Sequence, residues 1–477
     1  MRQSLRKNSN PRLAVDAVIS RYGGLSGNKA AFKGSLKKSL PVCLWANSLR
    51  ITAEDLAERL NSEGIHPVLI PWSDGAFRLP AIDRPGKSWL YKAGLFHIQE
   101  EAALLSVKLL APQSGELILD LCAAPGNKTA QIAIALNNCG SVIANDKYAG
   151  RLAPLHAAAA RLGLVNVTTT AIDGINYPLS SGPFDRILVD APCSGEGIIR
   201  KGPGKHTEVP ENFRNWLRGT QRALLRRAIS LCRPGGRIVY STCTFAPEEN
   251  EEIIDRALKE SRDIRLISPG KPIPGASPGI TNWQGHNYSD ELSKTVRLWP
   301  HKTNTGGFFA AVIEKTGNPR KLPPAKTSDV EIAGQRIIDN FIRYFGFPEH
   351  SFNNLHIFRS GRRLKLISND HQRSELKCIR ASGLTLTKDK AKIPKFSTEA
   401  TLAFGHFATR NAIEIEANSR MDYLARKTLI LLPKQIKNCG DNGYVIVRSS
   451  GIALGIGILK RHKDGGTLKS LFPKNWI

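Results

Sequence analysis

Two of the chain's eight cysteines sit where a thiol can do chemistry. Cys193 lies in DAPCSGEG and Cys243 in YSTCTFAPEEN, each just past an apolar run and flanked by small polar residues. A lone cysteine is ordinarily a buried, inert thiol. Two in matched positions after strand-like segments read instead as candidates for thiolate chemistry, which needs a partly exposed sulfur with a lowered pKa. A third stretch, LDLCAAPGNKT over residues 119–129, joins an apolar run ending in Asp120 to a turn of small residues and a helix start near Lys128. Such a turn lets a ligand approach the backbone and leaves helix-start N–H groups free. It is not a Walker loop, because Asn127 and Cys122 stand where that motif has glycine, and it is not GxGxxG. The stretch suits a nucleotide-like cofactor; a tight structural turn is the plain alternative.

These residues need elements to place them. Between residues 116 and 315 apolar runs recur: ELILDL, SVIAND, NVTTTAID, FDRILVD, GRIVYSTC and GGFFAAVIE. Helix-like segments such as KTAQIAIALNN and AGRLAPLHAAAARLG separate the first five. The alternation predicts an α/β fold with a doubly wound, mostly parallel, Rossmann-like sheet. Ligands in such sheets bind at the carboxyl ends of the strands. Asp120, Cys122, Asp146, Asp173, Asp190, Cys193 and Cys243 all fall there. An acid in Asp146's place commonly binds ribose hydroxyls, and Asp173 would lie beside an adenine. Each aspartate taken alone is equally an ordinary turn residue.

Around this region the chain divides into further units. Residues 1–40 read as a basic arm and helix, with Asn10 as cap and Pro11 in the first turn. Residues 41–90 read as a small α/β module: strand PVCLWAN, helix ITAEDLAERLNSEG with Thr52 and Asp55 in a capping-box pattern, strand HPVLIPW. The main domain spans 91–315, and 316–330 is a linker that opens with TGNPRKLPPAKTSD (316–329). Residues 331–400 form an intermediate α/β module opening with the amphipathic EIAGQRIIDNFIRYFG, and 401–477 are β-rich, Gly-punctuated and basic, as in a compact barrel. Lys plus Arg number 68 against 41 Asp plus Glu, for a formal charge of +27. That excess points to a polyanion, most simply nucleic acid. The cysteines lack CxxC or metal-finger spacing, so no metal is expected, and a reducing, cytoplasmic setting is. No apolar run reaches membrane-spanning length, and the basic N-terminus lacks a signal-peptide core.

LDLCAAPGNKT, DAPCSGEG and YSTCTFAPEENE, in this order, together resemble the RNA cytosine-5 methyltransferases of the Nol/Nop/Sun (Fmu) group. AGLFHIQEEA (93–102) and RLWPHKTNTGGFFAA (297–311) are similar to that family's flanking segments, and the tail closing in LKSLFPKNWI resembles the PUA-like RNA-binding domain of bacterial small-subunit rRNA methyltransferases. Asn127 replaces the glycine more usual in the first motif. The resemblance implies S-adenosylmethionine as cofactor, held by Cys122, Ala123, Ala124, Pro125, Gly126, Asn127 and Lys128 with Asp146, Asp173 and Asp190; the Cys122 thiol itself reads as packing. It implies Cys243 as a nucleophile that adds to carbon 6 of cytosine, Cys193 as the group assisting product release, and Asp190 at the N3 edge. Lys128 is placed for either cofactor or base.

The expected partner is RNA, ribosomal RNA or a ribosomal subunit first and tRNA as the alternative, read by a monomer. A non-catalytic assembly factor is the competing class, disfavoured by the intact Asp190, Cys193 and Cys243. In DNA cytosine-5 methyltransferases the Pro-Cys thiol attacks; STCT and the tail favour the RNA arrangement. Arg200 and Lys201 are expected to touch phosphate. Lys460, Arg461, Lys463, Lys469 and Lys474, with Tyr444, Phe472 and Trp476, suit an RNA-binding surface. His97 and His301 read as structural.

Overall fold

The computed structural model describes residues 11–202, 209–271, 273–317, 335–372, 378–388, 395–440 and 442–476. The Asn10 cap and most of the 316–330 linker lie outside them.

The central sheet contains five parallel strands: β1 (Leu117–Asp120), β2 (Ser141–Asn145), β3 (Val167–Thr170), β4 (Phe184–Asp190) and β5 (Cys232–Thr242). Their spatial order is 3-2-1-4-5, and β6 (Phe308–Lys315) pairs antiparallel with β5. The chain reverses its direction of travel between β1 and β4, which opens a crevice at the strand carboxyl ends. Side chains alternate between two apolar layers. Ile118, Val142, Leu188 and Val239 pack under helices α1 (Glu101–Leu110), α2 (Asn127–Ala135) and α3 (Ala153–Leu162). Leu119, Ile143, Ile187 and Ile238 face α4 (Glu211–Leu231) and α5 (Glu251–Glu260). Burial on both faces explains why the strands read as continuous apolar runs.

The flanking units differ in places from the sequence reading. Thr52 does cap the helix Ala53–Ser62, accepting a hydrogen bond from Asp55 N at 3.1 Å. The second strand expected in HPVLIPW shrinks to Val68–Leu69, and the main partner of Val42–Ala46 is the unforeseen strand Ala76–Leu79. Phe96–Ile98 completes this antiparallel sheet from beyond residue 90. Sequence pattern missed Ala76–Leu79 because four residues carry too little alternation to register.

The helix Gln335–Phe345 forms where the amphipathic pattern places it. The segment that follows it is not a free-standing unit: Ile379–Ser382 pairs antiparallel with β3 and so extends the central sheet. Thr168 Oγ1 lies 2.8 Å from His371 Nε2 and 2.6 Å from Ser382 Oγ, and the Asp370 carboxylate accepts from Gly140 N at 2.6 Å. At the C-terminus five strands form a sheet from Ala412–Glu414 to Gly465–Ser470. Its core residues Ile413, Val445, Leu468 and Phe472 belong to one apolar cluster with Leu44, Leu56, Phe77 and Trp89 of the N-terminal sheet. Arg420 stacks over Trp89 at 4.3 Å and pairs with Glu63 at 3.2 Å across that seam. Among the described residues no helix is long and apolar enough to cross a membrane.

Candidate active site

Four aspartates gather at the carboxyl ends of adjacent strands. Asp120 ends β1 and is buried; one carboxylate oxygen accepts from Thr129 Oγ1 at 2.6 Å, and the other, Oδ1, has no partner. Burial, opposed by the Thr129 hydrogen bond, pushes its pKa up to about 7. Between β1 and α2 the peptide before Pro125 is cis and Gly126 adopts φ +110°. A Cβ on Gly126 would lie 2.5 Å from the Leu155 side chain, so only glycine brings the turn this close to α3. Asp146 follows β2, nearly buried, with its carboxylate accepting from Tyr148 N at 3.0 Å and paired with Arg151 at 3.1 Å. Asp173 follows β3 and pairs with Lys147 at 2.7 Å.

Asp190 ends β4 opposite Ser241 of β5. Its two oxygens accept from Lys128 Nζ at 2.8 Å and from Ser241 Oγ at 2.9 Å. Burial works against the Lys128 ammonium, yet Asp190 outweighs it and the pKa of Lys128 is raised. Three residues beyond Asp190 the buried Cys193 meets Cys243, with Sγ atoms 3.4 Å apart. The two thiols differ in environment. Cys243 is partly exposed and its pKa is lowered, first because Cys193 donates to it; burial and Asp190 oppose, while Lys128 and Lys201 help. Cys193 is raised by that same shared proton and by burial. The arrangement favours ionisation at Cys243 over Cys193.

A buried polar network that sequence reasoning missed holds the two cysteine loops together. Ser194 Oγ lies 2.6 Å from Thr244 Oγ1, and Thr244 donates to Glu196 at 3.0 Å. Glu196 also accepts from Tyr22 Oη and from Arg214, each at 2.7 Å. The carboxylate of Glu249 accepts from Ser194 N and from Gln221, each at 2.9 Å. Tyr22 lies on the helix Pro11–Tyr22, so the N-terminal segment buttresses the site from far along the chain. No local pattern announces such contacts; the acidic PEEN after Cys243 was the sole hint.

Several expected surface residues prove structural. Arg200 is buried, donating to the carbonyls of Lys38, Ser39 and Thr305 at 2.8–3.0 Å, so it braces loops instead of meeting phosphate. Lys201 beside it is exposed. In the tail Phe472 is fully buried, with Trp476 packed edge-on against it, and Arg461 donates to the carbonyls of Ile436 and Cys439 at 2.6 Å. Lys460, Lys463, Lys469 and Lys474 are exposed. His97 and His301 both have internal partners, Arg161 and Asn127 for the first and the Ser26 carbonyl for the second.

A parallel sheet with an acid at or just past the end of four strands and a tight turn after β1 is the fold of S-adenosylmethionine-dependent methyltransferases. The chain belongs to the family described as 16S rRNA methyltransferase RsmB/F, which matches residues 107–314. It is 34% identical over 310 residues to the tRNA (cytosine(49)-C(5))-methyltransferase of Pyrococcus abyssi, covering 62% of this chain and 95% of that one. It is 37% identical over 294 residues to the 28S rRNA (cytosine-C(5))-methyltransferase of Mus musculus. There the match covers 60% of this chain but only 37% of the mouse protein. Ribosomal RNA small subunit methyltransferase F of Shewanella piezotolerans is 29% identical, with 92% of both chains covered. A crystal structure of a methyltransferase homologue from Pyrococcus horikoshii superimposes with TM-score 0.55 at 33% identity, covering 60% of this chain and 90% of that one.

Proposed function

We propose that this chain is an S-adenosylmethionine-dependent RNA methyltransferase that forms 5-methylcytosine through a transient bond between Cys243 and carbon 6 of the base. The observation that carries this reading is the pair of thiols 3.4 Å apart, one buried and one partly exposed, beside the Lys128–Asp190 pair in the strand-end crevice.

Residues 122–128 with Asp146, Asp173 and Asp190 hold S-adenosylmethionine, which supplies the methyl group when bound. The residues fit such a ligand: the unpartnered Asp120 Oδ1 and the nearly buried Asp146 leave acceptors at the crevice for its amino and ribose hydroxyl groups. Carbon 5 of cytosine is a poor nucleophile. Attack by the Cys243 thiolate on carbon 6 pushes the C5–C6 electron pair onto carbon 5, while a proton passed from the Lys128 ammonium through Asp190 to N3 balances the charge that spreads there and returns the same way on release. Once Cys243 is bonded to carbon, Cys193 loses the thiolate neighbour that raised its pKa and gives its proton to solvent. It then takes the carbon-5 proton of the methylated base. The electrons of that C–H bond restore the C5–C6 double bond as the Cys243 Sγ–C6 bond breaks. The base must be flipped out or unpaired to reach the sulfur.

Ribosomal RNA is the favoured substrate, because the relative matching along nearly the whole chain is named for the small ribosomal subunit. The C-terminal domain then grips RNA phosphates through Lys460, Lys463, Lys469 and Lys474, and its salt dependence is steep. The tRNA reading has its own support in the Pyrococcus abyssi relative. Bisulfite sequencing of total RNA from cells with and without the gene decides: a lost rRNA site supports the first, a lost tRNA site the second, and no lost site overturns both.

A further inference from the structure

Burial, orphaned charge and the departure from glycine at position 127 meet at one place. Arg161 is buried, bonded to the carbonyls of Tyr91 and Phe96 at 2.7 and 3.0 Å, with its guanidinium 3.8 Å from the Tyr91 ring centroid. Both of those bonds come from Nη1; a second nitrogen, Nη2, lies 2.7 Å from His97 Nδ1. An arginine cannot accept a hydrogen bond, so Nδ1 must be the acceptor. Burial, reinforced by Arg161, lowers the His97 pKa to about 4, and the ring is neutral at physiological pH. A neutral ring accepting at Nδ1 carries its single proton on Nε2. That nitrogen lies 3.1 Å from Asn127 Oδ1 and donates to it. The chain of donors therefore fixes the Asn127 amide one way round: oxygen toward His97, N–H₂ away from it. That N–H₂ makes no hydrogen bond to any described residue. It sits on the first residue of α2, beside Lys128 and just after the tight turn at Gly126.

We propose that His97 is a positioning residue that orients the Asn127 amide so that its N–H₂ receives the carboxylate of the methyl donor's amino-acid end. The inference rests on the methyl-donor reading above. It explains why a polar side chain stands where the family more usually has glycine, and why a buried histidine is held between an arginine and the cofactor turn. The N-terminal segment around Tyr91–His97 thus sets the geometry of a loop thirty residues later.

Calorimetric binding to the full chain, without RNA or turnover, tests it with two probes. S-adenosylhomocysteine carries the carboxylate, and 5′-methylthioadenosine lacks the whole amino-acid end. His97→Ala is expected to weaken S-adenosylhomocysteine about tenfold, the loss of one charge-assisted hydrogen bond, and to leave methylthioadenosine unchanged. Asn127→Ala should show the same loss, and the double variant no more than either single one. His97→Gln, which can still donate to Asn127, should recover most of the affinity. Equal weakening of both probes, additive effects, or unchanged binding in His97→Ala overturns the proposal. If His97→Ala does not fold, Asn127→Ala and His97→Gln carry the same comparison. Should the unaltered chain bind neither probe, the methyl-donor reading itself fails, an outcome distinct from failure of the His97 assignment alone.

Discussion

Cys193 and Cys243 are the same functional group, follow adjacent parallel strands, and almost touch, yet their pKa values move in opposite directions. Cys193 is buried and its pKa is raised; Cys243 is partly open and its pKa is lowered. The difference comes from what surrounds each sulfur. Cys243 has the hydrogen bond to its neighbour and the fields of Lys128 and Lys201 in its favour, whereas Cys193 is raised by that same contact, by burial and by the Glu249 charge. In the proposed reaction two chemically equal groups take different roles, one attacking the base and the other handling a proton, because the fold divides their environments.

The largest effect should come from removing the open thiol. Cys243→Ala is expected to lower kcat by on the order of 10⁴-fold or more, with RNA binding by filter assay nearly intact; residual turnover near the parent rate would make the two thiols interchangeable. Cys193→Ala should cut turnover by about 10²-fold or more while the first bond still forms, so a denaturant-resistant protein–RNA band should accumulate. A gel without that band would remove the division of labour. Lys128→Gln acts on the asymmetry more gently. Rate falls with decreasing pH as Cys243 takes up its proton, and a cation nearby holds that fall to lower pH. Without Lys128 the thiol pKa rises, so the acid limb of the kcat/KM profile should move to higher pH; a limb that stays put or moves down would discount the lysine. Ser194→Ala, which unties the two loops, should cost about 1 kcal/mol in chemical denaturation and shift the same limb slightly upward.

The strand-end residues were legible because a parallel sheet gathers the carboxyl ends of its strands whatever the intervening distance. Asp120, Asp146, Asp173, Asp190, Cys193 and Cys243 meet for that reason alone. Composition carried less. Arg200 reads as a phosphate contact beside Lys201, but its guanidinium turns inward to three carbonyls, and Phe472 reads as a stacking ring but fills a core. A residue type states what it can bind and not which way it faces. The Tyr22–Glu196–Arg214 and Glu249–Gln221 contacts were illegible because their partners lie far apart in the chain with no repeating period. The strand Ala76–Leu79 and the sheet extension at Ile379–Ser382 are too short to leave a pattern.

That extension has a practical consequence. A fragment ended at residue 315 would keep every residue of the proposed chemistry but leave β3 with a row of unpaired amides along an open margin. Such a margin recruits the strands of other molecules, so the shortened protein is expected to self-associate and precipitate on concentration, and the smallest well-behaved piece of this chain must carry the extending strand with it.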